Sequence, residues 1–589
     1  MERCMRLVVI SLLVVLGVLA AVPVLAEDYP RPDLQRDAWK SLDGKWSFAF
    51  DDKDDGLGER WFDGHRYDRE INVPYPYQAK LSGIGDTTHH KVVWYSRKFT
   101  APADFDGKRV RLHIGAADYA VTVWVNGQEA GKDEGGYVPY CIDITPFLRD
   151  GGNELTIRVF DDAYDPAQPR GKQHPSGGLL RWHYTHITGL WQPVWLEAVS
   201  SVHIDGFKIY PRIEPRGTDL SVRVNGDGVV KATALRDGKR VASAEATVSA
   251  GAAEIKLSMP GAELWSPENP ALYDLELELY SDGQVVDKVR SYFGVRTISI
   301  DGSNILLNGK PVWLNMALVQ GYWPTGLYVP PSPEDYRKDV EWCKELGLNG
   351  IRMHQKVEDP RFLYWCDKLG LLVWGEMANA GEGHFSERAV KIADTVWERT
   401  IERDFNHPCI ITWTYDNENW MHQKYDAEEA MVYAKAHKLL KKLDPTRPVI
   451  DNSGYLHVST DIYDFHGGSV KDVVAWVKGA PRTDKLGPVM IGAPLAYEGQ
   501  PIVKSEWGCA DFDMATESYY NNYEKQVREM ASSGVFCGQC YVQLNDIENE
   551  CNGYMKYDRT WKVEPKRIAK IHAEATALFE ESMKNSRVP

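Results

Sequence analysis

The chain has 589 residues, 43% hydrophobic and 26% charged, with no low-complexity tract. Such a length suggests about three to four domains. A formal charge of −16 with a pI near 5.5 argues against a nucleic-acid partner.

Residues 1–26 read as a leader. Arg3 and Arg6 precede an apolar run from Leu7 to Val22, and Val24-Leu25-Ala26 is a small-residue cleavage site. This is the pattern of a secretory signal peptide, whose removal would leave Glu27 first and the chain secreted or periplasmic. An uncleaved anchor is the alternative, but the run is short for a span. No later stretch could cross a bilayer, so no membrane attachment is expected once the signal is gone. Cys4 leaves with the leader, and eight of nine cysteines remain, scattered along the chain. Cys537 and Cys540 form a CxxC inside an apparent strand, where a spacing of three puts the thiols on opposite faces. They read as core residues.

Residues 27–198 carry many short alternating runs. RVRLHIGA, YAVTVWVNGQEAG and NELTIRVFD are examples, and Asn126-Gly127 is a strong hairpin signal. The expectation is a β-sandwich. Residues 164–185 interrupt it with a loop rich in Pro, Gly and His. The loop is either a surface excursion or a wall reaching towards a site elsewhere. Residues 199–297 alternate again and fit an immunoglobulin-like sandwich without the Cys…Trp…Cys pattern.

From residue 298 to 589 strand-like runs alternate with helical ones, the signature of βαβ units. Eight strands are predicted at 312–320, 349–354, 371–377, 409–418, 448–453, 461–467, 501–508 and 534–544. Ser332-Pro333-Glu334-Asp335 opens a helix, with Tyr336, Val340, Cys343 and Leu346 on its buried face. Eight strands in under 300 residues is the size of a (β/α)₈ TIM barrel.

Functional groups in such barrels sit at the C-terminal strand tips. Those tips hold Arg352 and His354, Glu376, Asn417 and Glu418, His466, Glu506, and Asn545 with Asp546. The fourth strand is read with Thr412, Thr414, Asp416 and Glu418 on one face. The ring has no phosphate loop, no HExxH and no Cys/His cluster at zinc spacing, so neither metal nor cofactor is expected. Two carboxylates on strands four and seven face each other across the mouth, as retaining glycoside hydrolysis requires. The many Trp and Tyr, structural by default, would also suit stacking on sugar faces.

Several phrases carry a family resemblance. VPYPYQAKLSGIG, VVWYSRKF, VTVWVNGQEAG and TGLWQPVWLEAV resemble the jelly-roll sugar-binding domain that opens glycoside hydrolase family 2. LWSPENPALYDLELEL is similar to the middle domain of that family. RDFNHPCIITWTYDNEN resembles its acid/base segment and PIVKSEWG its nucleophile segment. The resemblance implies that Glu418 is the general acid/base and Glu506 the nucleophile, with carboxyls about 5–5.5 Å apart. It also implies that Asn417 binds the sugar 2-hydroxyl and that Arg352 keeps the nucleophile ionised. His354 and Trp507, the aromatic after Glu506, join the candidate substrate contacts. On the sixth strand this branch shows D-x-H-x-Y, whereas here Asp461-Ile462-Tyr463-Asp464-Phe465-His466 stands. Either Tyr463 or His466 takes the role of the usual Tyr. Lys504, two residues before Glu506, is expected to pair with an inward acid such as Asp416.

The implied activity is that of a retaining exo-β-glycosidase acting on an oligosaccharide or glycoside, β-galactosidase-like first, with β-glucuronidase or β-mannosidase as the alternatives. Glucuronidases of the family hold the sugar carboxylate with Asn-x-Lys. The one found here, Asn308-Gly309-Lys310, lies in a turn before the first barrel strand, on the wrong side. A non-catalytic sugar-binding protein would be favoured by loss of either Glu, and both are present. A metal-dependent hydrolase lacks its ligands.

Overall fold

The computed structural model describes residues 29–175, 182–379, 386–419, 427–454, 457–481, 497–508 and 514–585. The leader, Cys4, Cys509 and residues 176–181 of the long loop lie outside the described residues.

Two antiparallel sheets pack face to face in the first unit. One orders residues 39–41, 194–199, 109–114 and 140–143; the other orders 69–73, 44–50, 92–99, 153–160, 120–125 and 128–134. Alternation decides what goes inside: Val110, Leu112 and Ile114 meet Val121, Val123, Val125, Leu155, Ile157 and Val159 in one apolar core. Asn126 and Gly127 both take left-handed backbone, φ 54° and 78°, as a two-residue hairpin of this kind demands. The second unit repeats the plan, with sheets of residues 203–213, 216–225 and 252–258, and of 239–247, 229–236, 272–281 and 284–294.

The third unit is a parallel barrel. Its strands are β1 (Leu314–Val319), β2 (Gly350–Met353), β3 (Leu372–Glu376), β4 (Ile410–Asn417), β5 (Val449–Ser453), β6 (Tyr463–Phe465), β7 (Ile502–Trp507) and β8 (Phe536–Tyr541). Each lies inside the run predicted for it. Hydrogen bonding runs β5-β4-β3-β2-β1-β8-β7-β6. Between β5 and β6 side chains take over from the ladder: Ser453 and Ser505 hydroxyls both donate to Asp464. His457 bridges Asp451 at 2.8 Å and Asp464 at 3.3 Å. Packed outside are α1 (Glu334–Glu345), α2 (Pro360–Leu369), α3 (Glu387–Asp404), α4 (Ala427–Leu443), α5 (Val470–Val477), α6 (Glu517–Ser532) and α7 (Pro565–Asn585). The predicted face of α1 is buried as expected. Its start differs in detail, since the Asp335 carboxylate accepts from Ser332 N and Oγ. Cys537 and Cys540 are both buried and unbridged.

The first unit is riveted to the barrel by a buried cation. Lys356, just past β2, donates to Gly321 O at 2.9 Å, Tyr328 O at 3.0 Å and Glu358 Oε2 at 2.7 Å. Around it stand the rings of Tyr328, Trp323 and, from the first unit, Trp191. An ammonium out of water is tolerated here because all three of its protons are used and the rings present their negative faces. Lys356→Met would leave Glu358 charged and unpaired in the interior, a loss of about 3–5 kcal/mol. The apparent melting temperature is expected to fall by several degrees, and Lys356→Met/Glu358→Gln to recover part of that loss, in a thermal-unfolding series.

Candidate active site

Arg352 ends β2 with its guanidinium wholly inside the barrel mouth. Nε donates to Glu376 Oε2 at 2.7 Å, Nη2 to Asn417 Oδ1 at 2.5 Å and Nη1 to Glu506 Oε1 at 3.1 Å. Three strand tips, β3, β4 and β7, are therefore fixed by one planar fork. Burial works against the charge, but Glu376 and Glu506 outweigh it and raise its pKa further. Burial raises the Glu376 carboxyl in turn, against the pull of Arg352.

Glu418 follows β4 in left-handed backbone, φ 51°. That turn re-aims the strand end. Asn417 points at Arg352, whereas Asp416, expected on the face of Glu418, accepts from Asn419 Nδ2 and from Tyr433 of α4, at 2.8 and 2.9 Å. One carboxylate oxygen of Glu418, one of Glu506 and a nitrogen of His466 all lie within 4.8 Å of one another.

His466 links the two acids. Its Nδ1 meets Glu418 Oε1 at 2.6 Å, and its Nε2 lies 3.1 Å from Ser453 Oγ and 3.5 Å from Glu506 Oε1. Ser453 donates its own proton to Asp464, so its oxygen is free to accept. Nε2 also lies 3.1 Å from Arg352 Nη1, which can only donate, so Nδ1 faces an acceptor while Nε2 faces a donor as well as acceptors. Burial opposes a positive ring, while Glu506 and Glu418 more than compensate and raise the His466 pKa. Burial also pushes the Glu418 carboxyl up, but the charge and hydrogen bond of His466 prevail and bring it to about 2, Lys172 assisting. The three groups would also suit a cation, but with both imidazole nitrogens engaged they are arranged as a proton network. His354 behaves oppositely. Burial first, then Lys172 and Arg352, hold it neutral, and its Nδ1 sits 3.1 Å from Glu376 and 3.8 Å from Glu506 without a hydrogen bond.

Arg352, His354, Asn417, Glu418, His466 and Glu506 are therefore brought together. Tyr463 is not. It faces the helices, with ring centroids 4.6 Å from His457 and 5.2 Å from Trp476 of α5, because Asp464 takes the interior side of β6. His466 is the one of the pair that faces the carboxylates. Trp507 is not at the site either: next to Glu506 in β7, it points outward. There it donates to Gln539 Oε1 at 2.6 Å and packs on Tyr523 of α6 at 5.1 Å. Lys504 donates to Gly468 O at 2.9 Å, away from Asp416. Asp546 is held by Lys562 at 2.8 Å and serves the loop after β8. Asn308 and Lys310 line a groove with Trp313, Asn349 and Phe579 at the other end of the barrel.

The described parts of the loop, 164–175 and 182–185, form a wall against the barrel. Arg170 N and Gly171 N donate to Asn379 O, beyond β3, at 2.9 and 3.0 Å. Asn379 Nδ2 donates onward to Asn417 O at 2.7 Å. Tyr184 donates to Glu550 and accepts from Gln320, while Thr185 N donates to Glu548. Sequence reasoning missed Asn379 and Lys172, whose roles depend on contacts between distant segments.

Family models match the chain in three consecutive blocks. They are Glycosyl hydrolases family 2, sugar binding domain, over residues 39–168; Glycosyl hydrolases family 2, over 202–296; and the TIM barrel domain of that family, over 298–536. A β-glucuronidase of Chlorocebus aethiops is 30% identical over 480 residues, 72% of this chain and 71% of that protein. The chain belongs to glycosyl hydrolase family 2. A putative β-glucuronidase of Formosa agariphila is 28% identical over 393 residues, 64% of this chain. The match spans 46% of that relative's length. Among solved structures, β-glucuronidase from Ruminococcus gnavus in complex with D-glucuronic acid aligns with a TM-score of 0.75 at 19% identity, covering 94% of this chain and 100% of that one. At that identity the likeness concerns the fold.

Because one fork aligns three strand tips, Arg352→Lys should lower kcat by about a hundredfold or more, since a single ammonium cannot serve Glu376, Asn417 and Glu506 together. Steady-state kinetics on an activated aryl glycoside would measure it, with far-UV circular dichroism unchanged.

Proposed function

We propose that this family 2 protein is an exported, exo-acting, retaining β-glycosidase whose first substrates to test are β-D-glucuronides. The observation that carries the reading is the pair of glutamates on β4 and β7, with oxygens within 4.8 Å across the barrel mouth. That closeness suits a nucleophile and an acid/base with no water between them. Glu506, next to Arg352 and partly open at the mouth, is the nucleophile. Glu418 protonates the leaving oxygen and then activates water. Asn417, fixed by Arg352, is placed to bond the hydroxyl next to the reacting carbon. The sequence put a β-galactoside first; the names of the relatives favour the uronide, and β-galactosides become the second reading. Export rests on the leader pattern alone.

The proton for the acid step is shared, in this reading, between Glu418 and His466, 2.6 Å apart. When a leaving oxygen approaches Glu418, the Nδ1 proton passes to the carboxyl and on to that oxygen. The His466 pKa is raised, so the pair keeps its proton below that value and loses it as pH climbs through it. This is the alkaline limb of kcat/KM. In His466→Asn the limb belongs to the Glu418 carboxyl alone, in the acid range, and should move to lower pH. A limb that does not move would remove His466 from the proton path.

First-formed product should retain the anomeric configuration by NMR, and Glu506→Gln should bring turnover below detection while leaving folding intact. Inverted product, or an active Gln variant, would reject the mechanism.

A further inference from the structure

A uronide needs a cation at the sugar, and the Asn-x-Lys pair of this chain is at the wrong end of the barrel. Among the described residues, three other basic groups near the mouth are committed. Arg352 is taken by Glu376, Glu506 and Asn417, Lys356 by Glu358, Lys562 by Asp546. Lys172 is different. It is half-buried, and among the described residues no carboxylate forms an ion pair with it.

Its backbone, by contrast, is fixed on every side. Arg170 N and Gly171 N are bonded to Asn379 O. At Gly171 (φ 58°) a Cβ would lie 2.4 Å from Gln355 O and 3.4 Å from Ala378, so only glycine lets the wall approach β2 and β3 this closely. Lys172 O accepts from Tyr184 N at 2.8 Å. Gln173 donates to Asp118 and Tyr137 at 2.8 and 2.9 Å and accepts from Ile187 N at 2.7 Å. Among the described residues of this segment, the Lys172 ammonium is a cation with no carboxylate partner. Glu418 and His354 both feel the charge of that ammonium, in keeping with a wall whose Gly171 lies against Gln355 and Ala378, next to the tips of β2 and β3.

We propose that Lys172, supplied by the wall of the first domain, is the specificity residue that binds the carboxylate of a uronic-acid residue seated between Glu418 and Glu506. This rests on the uronide reading above. A flexible ammonium makes one strong charge-assisted bond to such a carboxylate and gains nothing comparable from a neutral hydroxymethyl.

The test compares 4-nitrophenyl β-D-glucuronide with 4-nitrophenyl β-D-glucoside, which differ only at C6. Lys172→Met should lower the glucuronide-to-glucoside ratio of kcat/KM by about thirtyfold or more, mainly through KM, and Lys172→Arg should restore most of it. Lys172→Gln carries the same expectation should Met disturb the wall. A wild type that cleaves glucuronide, with a ratio unmoved within about threefold in Met and Gln variants, overturns the role of Lys172 and leaves the uronide reading standing. A wild type that cleaves the glucoside and not the glucuronide overturns both.

Discussion

The catalytic end of this molecule depends on one buried guanidinium. Arg352 is fully buried, where an unpaired charge would cost several kcal/mol. It is tolerated because Glu376 neutralises it while Asn417 and Glu506 use its remaining donors. The same bonds make three strands agree on one geometry. Electrostatic need and mechanical register are thus met by a single side chain. The cluster also carries its acids in unlike states: Glu418 is depressed by His466, and Glu376 is raised by burial.

Much of this was legible in the sequence because strands alternate and barrels place function at their tips. All eight strands fall inside the predicted runs, and six expected residues converge. The failures have local causes. Asp416 was put on the face of Glu418 by strict alternation, which the left-handed backbone at Glu418 breaks. Lys504 was read inward by the same count, but the β7–β8 register shifts between Lys504 and Trp507. Residue type and motif favour Tyr463 and Trp507, but in each strand a neighbour occupies the interior face. Asp464 had taken the interior of β6 and Glu506 that of β7.

The wall was harder to read. Residues 164–185 carry no periodicity, and the barrel partners of Tyr184 lie 136 and 366 positions away. Nothing in RGKQH says that Asn379 will receive two of its amides. Aromatic abundance was equally ambiguous. Trp191, Trp323 and Tyr328 surround the Lys356 cation at the joint between units, and Trp374 backs Arg352. In these places the rings serve charge burial.

The left-handed backbone at Glu418 carries an evolutionary consequence. A side-chain-bearing residue in that conformation stores about 1–3 kcal/mol of strain that glycine does not. Drift from glutamate to glycine at this one position would relieve that strain but leave the buried His466 without its carboxylate partner 2.6 Å away. The strained residue and the buried imidazole it partners would therefore be kept or lost together.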